Sequence, residues 1–185
     1  MTSSVRIHIE NTPNPSTLKF VTSVSLLESG GRDFPTVQSA LASPLAKRLF
    51  QVDGVAGVYI GTDFVSVTRT EAADWQSLAP TVTETILTHL NSGEAILGSE
   101  ESVQKHAAAD DSVAQRIQDI LDEYIRPAVA QDGGDIIFDS FEDGVVRLHL
   151  QGACSGCPSS TMTLKMGIQN LLSEQIPEVR EVVQV

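Results

Sequence analysis

The chain opens on a two-residue period. Val5, Ile7 and Ile9 alternate with Arg6, His8 and Glu10, the pattern of a half-buried strand. A Thr12-Pro13-Asn14-Pro15 turn follows, and Leu18 and Phe20 resume the strand pattern. Ser43 before Pro44 predicts an N-cap with proline in the first helical turn, opening a helix that runs through Leu45 and Leu49. Two β-rich runs, VAGVYI and FVSVT, flank Gly61-Thr62-Asp63 and read as a hairpin. Val82, Ile86 and Leu90 then mark one face of a helix over 80–90.

The second half is patterned more sharply. Ser112 and Gln115 have the spacing of a capping box, and Val113, Ile117, Ile120, Leu121 and Tyr124 follow at helical intervals. Pro127 should disturb or end that helix, and Gly133-Gly134 should close it. Ile136–Phe138 and Val145–Leu150 flank Glu142-Asp143-Gly144, a hairpin signal; Val146, Leu148 and Leu150 face one way, Arg147 and His149 the other. A last helix carries Leu164, Ile168, Leu171 and Leu172 on one face, and Val179–Val185 reads as a final strand. The expected fold class is α+β, two small domains each layering helices on a sheet, the C-terminal one in the order α-β-β-α-β. Small and charged residues without periodicity place a linker at 93–111, between a domain at 1–92 and one at 112–185.

Composition narrows the partners. The 185 residues are 41% hydrophobic and 19% charged, with no apolar run of membrane-spanning length. The net charge of −12 argues against nucleic acid and anionic membrane. Residues 1–98 contribute −3 (9 acids, 6 bases), residues 99–110 −2 (3 and 1) and residues 111–185 −7 (12 and 5). A protein docking on the C-terminal half is therefore expected to offer basic residues. The first fifteen residues carry neither a basic segment before an apolar one nor an Arg-rich amphipathic stretch, so no import signal is expected there. Bacterial cytoplasm is the expected location, with the mitochondrial matrix as the alternative for a mature form.

Chemistry concentrates in one loop. The chain has 2 cysteines, Cys154 and Cys157, in Gln151-Gly-Ala-Cys154-Ser-Gly-Cys157-Pro-Ser-Ser160, between a strand and a helix. So few, so close, they point to a reducing interior and a metal or redox role rather than a disulfide framework. A two-residue gap lets both sulfurs face one metal centre. Pro158 suits the first helical turn and puts Cys157 at the N-cap, where N–H groups and the helix dipole favour a thiolate. Small neighbours let backbone N–H groups reach sulfur and let another protein approach.

Iron–sulfur clusters commonly take four cysteine ligands, and one chain supplies two, so a symmetric dimer would complete the set. A cluster shared across an open interface suits delivery. Zinc bound across the same dimer has similar ligand chemistry. A thioredoxin-like thiol-disulfide oxidoreductase also places Cys-x-x-Cys at a strand–helix junction, but too little chain follows here for the rest of that fold. His149, five residues before Cys154, falls on the polar strand face and reads as uninvolved; His8, His89 and His106 show no ligand pairing. Asp132-Gly-Gly-Asp135 reads first as a helix C-cap and turn, with support of the cysteine loop as the alternative. No phosphate loop, nucleophile elbow or H-E-x-x-H occurs, and no enzyme activity is expected.

Residues 113–185, with IRPAVAQDGGDI, GACSGCPSSTMTLKMGIQNLL and IPEVREVVQV, resemble the C-terminal domain of NifU and the Nfu scaffold proteins. Residues 5–91, with TPNPSTLKF, SPLAKRLF, DGVAGVYIGTDFVSVT and ADW, resemble the Nfu N-terminal domain. The resemblance implies a scaffold or carrier that binds a [4Fe–4S] cluster between two subunits, with [2Fe–2S] as the alternative, through Cys154 and Cys157. It implies a homodimer when loaded, upstream cluster donors, and apo iron–sulfur proteins as clients. The amino-terminal assembly domain and central ferredoxin-like domain of full NifU have no counterpart here.

Overall fold

The computed structural model describes residues 5–98, 112–155 and 158–185, apart from the side chains of 158–160. The chain forms two compact units, Met1–Gln104 and Lys105–Val185. Both combine a sheet with helices, the α+β class expected from the pattern.

In the first unit, β1 (Ile7–Asn11), β2 (Thr17–Thr22), β3 (Arg32–Phe34), β4 (Val55–Ile60) and β5 (Phe64–Arg69) make one antiparallel sheet in the order β1-β2-β5-β4-β3. Two helices, α1 (Pro44–Phe50) and α2 (Trp75–Ser92), close a core of Phe20, Phe34, Leu45, Leu49, Ile60, Val65, Val82 and Ile86. Ser43 caps α1 as its sequence promised: its Oγ accepts the Ala46 N–H at 3.1 Å. The β4–β5 hairpin turns through residues 61–63, with the Gly61 N–H donating to the Phe64 carbonyl at 2.8 Å.

Three features of this unit escape the pattern. The strand β3 and a single 3-10 turn at Ser39–Ala42 are too short to show periodicity. Helix α2 starts at Trp75 rather than near Pro80, because Asp74 is the N-cap and accepts from the Gln76 and Ser77 N–H groups. The Ser77 hydroxyl, then its N–H, hold the Asp74 carboxyl below the usual carboxylate range. Pro80 is the sixth residue of the helix and cannot donate back to the Gln76 carbonyl, so the helix forgoes that bond. Helix α2 ends at Gly93 in the left-handed conformation (φ 71°).

Residues Glu94–Gly98, at the head of the segment read as a linker, are strapped to the first unit. The Gly98 N–H donates to the Ala42 carbonyl at 2.7 Å and the Ser43 hydroxyl to the Ile96 carbonyl at 2.5 Å. Glu94 pairs with Arg48 at 2.6 Å, and the fully buried His89 contacts the Ala95 carbonyl through Nε2 at 3.1 Å. Residues 99–111 lie outside the described residues.

The second unit begins with α3 (Ser112–Ile120), passes through a π-helical turn (Leu121–Ile125) and continues as α4 (Arg126–Gln131). Pro127 explains the change of pitch: lacking an N–H, it cannot close an α-helical bond, and the preceding Arg126 N–H reaches back five residues to the Leu121 carbonyl. The helix is therefore altered at Pro127, not ended. Gly133 (φ 79°) makes the turn into β6 (Gly134–Glu142). An Asp143-Gly144 loop with positive φ at both residues (50° and 80°) returns the chain as β7 (Val145–Gly152). Helix α5 (Pro158–Gln175) then crosses over to β8 (Glu181–Gln184), which pairs in parallel with β7. The order β6-β7-β8 leaves β7 central, with Ile117, Ile136, Val146, Leu148, Ile168, Leu172 and Val182 in the core.

Candidate functional site

The cysteine loop occupies the junction between the central strand β7 and α5. Gly152, the last residue of β7, turns with φ 63°, a conformation that favours glycine. The Ala153 N–H then donates to the Gly133 carbonyl at 3.1 Å, tying the loop to the turn that follows α4. The Ser155 N–H and hydroxyl both donate to the Gly152 carbonyl, at 3.1 and 2.8 Å, and close a compact turn around Cys154. Thr161, in the first turns of α5, reaches back to the Cys154 carbonyl at 3.4 Å. Strand, helix and glycine turn all converge on one residue.

Cys154 is 7% exposed in the single chain. Its sulfur lies beside Gly134: a methyl group on that glycine would sit 2.7 Å from Sγ and 2.6 Å from the Gln151 carbonyl oxygen. The Asp132-Gly-Gly-Asp135 segment thus serves both readings taken from the sequence. Gly133 makes the turn, and Gly134 makes room for the cysteine. Cys157 lies outside the described residues, and so does its expected N-cap position; α5 does begin at Pro158.

His149 is engaged elsewhere. Its Nδ1 lies 2.8 Å from the Val185 carbonyl and its Nε2 3.5 Å from Asp139, on the polar face of the sheet. Among the described residues, no three His, Cys, Asp or Glu side chains converge as a metal site.

Arg126 is the neighbour that sequence reading missed. Its Nε lies 3.2 Å from Asp135 Oδ1 and 3.3 Å from the Ile136 carbonyl, and its Nη1 3.1 Å from Asp122 Oδ1. The guanidinium therefore pins the start of β6, where Gly134 pairs with Gly152. The only signal was an arginine next to Pro127, and its aim depends on a π-turn that periodicity does not reveal.

Residues 117–183 match the NifU-like domain and residues 7–93 the N-terminal domain of the Nfu/NifU scaffold proteins. That pairing defines a class of iron–sulfur cluster scaffolds. The human mitochondrial NFU1 iron–sulfur cluster scaffold homologue is 46% identical over 181 residues, 97% of this chain and 71% of that protein. Its counterpart in Drosophila willistoni is also 46% identical, over 97% of this chain and 63% of that protein. A NifU-like protein of Saccharomyces cerevisiae solved in solution superposes with a TM-score of 0.48 at 25% identity, over 55% of this chain and 92% of that one. The chain belongs to the Nfu family of iron–sulfur cluster scaffold proteins. It spans 63% to 71% of the length of the two curated relatives.

Proposed function

We propose that this protein carries a [4Fe–4S] cluster between two copies of itself, held by Cys154 and Cys157 of each, and passes it to apo iron–sulfur proteins without catalysing a reaction of its own. The observation that carries the reading is the arithmetic of the loop. Each chain has two cysteines, and no further ligand set converges among the described residues. A four-thiolate core then needs a second chain.

The loop fits such a cargo. Gly152, Ala153 and Gly134 beside Cys154 are small residues, and thiolates are the donors that iron–sulfur cores take. The sulfur lies against Gly134 in the single chain, and on this reading it must turn outward to share a cluster. The −7 charge of residues 111–185 (12 acids, 5 bases) favours clients with basic docking surfaces. The mitochondrial names of the relatives favour the matrix over the bacterial cytoplasm.

Anaerobic reconstitution should give about four irons per two chains and a thiolate-to-iron absorption band. Cys154→Ala and Cys157→Ala should each abolish both. A loaded species that stays monomeric, or a Cys154→Ala chain with full iron, would overturn the reading.

A further inference from the structure

Helix α5 leaves the cysteine loop and presents an outward, exposed stripe. Met162 and Met166, one turn apart on one face, are 67% and 60% exposed. Thr163, Gly167 and Asn170 lie exposed beside them. At about 1.5 Å of rise per residue, Met166 stands roughly 12 Å along the axis from Pro158, where α5 begins. Among the described residues nothing lies within 4 Å of where a methyl group on Gly167 would stand, so no packing there calls for glycine. Glycine inside a helix weakens it relative to alanine. A second backbone coming close would give that glycine a role.

The charge of the stripe identifies the visitor. Residues 111–185 carry 12 acids and 5 bases, yet between Pro158 and Ser173 the one charged residue is Lys165, 3.9 Å from Glu181. A basic client would seek the acidic surface. A second copy, equally acidic, needs a neutral place to meet. We infer that the Met162–Met166–Gly167 face of α5 is the contact between two copies of this chain in the cluster-loaded dimer, packed face to face about a two-fold axis. This rests on the shared-cluster reading and names the surface that the sharing uses. Exposed methionines suit such a contact because they repack easily around a partner.

The test uses full-length chains carrying Met166→Glu or Met166→Lys, reconstituted anaerobically with iron and sulfide, alone and mixed one to one. Sedimentation velocity and iron per chain are read. Each variant alone should dimerise at least about tenfold more weakly than wild type, since like charges are brought together. Mixing the two should restore dimer and iron. The cluster-free melting curves should match wild type, because the position is exposed. Gly167→Ala should raise the cluster-free melting temperature and yet weaken the loaded dimer. Variants that load and dimerise like wild type, or a mixture that rescues nothing, would overturn the interface while leaving the shared cluster standing. Variants that dimerise normally but fail to deliver to a client would reassign the face to client docking. A wild-type chain that loads as a monomer would overturn both readings at once.

Discussion

Cys154 and Gly134 are in direct contact: the cysteine sulfur occupies the space that any side chain at 134 would need, 2.7 Å from where a β-carbon would stand. Two residues twenty positions apart in sequence are thus one structural unit, brought together because Gly134 and Gly152 are paired across β6 and β7.

Gly134→Ala should therefore disturb the loop before it disturbs anything else. Overpacking of this kind costs about 1–3 kcal/mol. In a Cys157→Ser background the alkylation rate of Cys154 should rise as its sulfur is pushed from the seat, and the cluster-free melting temperature should fall. An unchanged alkylation rate would show that the contact does not shelter the thiol.

Asp135→Asn tests the support behind that seat. Its carboxylate meets Arg126 Nε at 3.2 Å and accepts the Ile136 N–H at 2.7 Å, with the side chain 13% exposed. Losing the charge should destabilise the second unit by about 1.5–3 kcal/mol, the range for hydrogen bonds to charged groups. Chemical denaturation should show the loss in the transition of the second unit alone.

His89 gives the first unit a pH dependence. Burial, above all, holds its imidazole below the usual value of 6.5, opposed by the Ala95 carbonyl and by Glu94. Among the described residues its Nδ1 makes no hydrogen bond, and it stands 3.8 Å from Glu94 Oε2. Above 6.5 the ring is neutral folded or unfolded, and its contribution is complete. As pH falls below 6.5 the unfolded chain takes up a proton that the folded chain resists, so stability is lost until the lower folded value is passed. Between pH 7 and about 5 the melting temperature of wild type should drop more steeply than that of His89→Gln. Parallel curves would remove His89 from the account.

The first unit contains no cysteine and, among its described residues, no convergent metal ligands. Deleting residues 1–98 should leave cluster content per chain unchanged and slow transfer to an apo-client. Equal transfer rates with and without the unit would argue against a docking role.

Much of this architecture was legible because its signals are local. The hairpin at Asp143-Gly144, the Ser43 cap and the core face of α5 each rest on a few adjacent residues whose preferences agree with the fold. The start of α2 was misplaced because Pro80 imitates a first-turn proline, whereas Asp74 makes the actual cap with Gln76 and Ser77. The cysteine pair stood out by spacing alone. What surrounds it did not, since the approach of Gly134 and the aim of Arg126 depend on strand pairing and helix pitch, which no single stretch of sequence encodes.

The π-turn at Leu121–Ile125 has one more implication. It amounts to a spare residue in the helix, and each residue of an α-helix turns the chain by about 100°. Shortening that stretch by one would straighten the rod and swing all that follows, carrying Val129 out of the core and Arg126 away from Asp135. Changes of side chain should be forgiven there far more readily than changes of length.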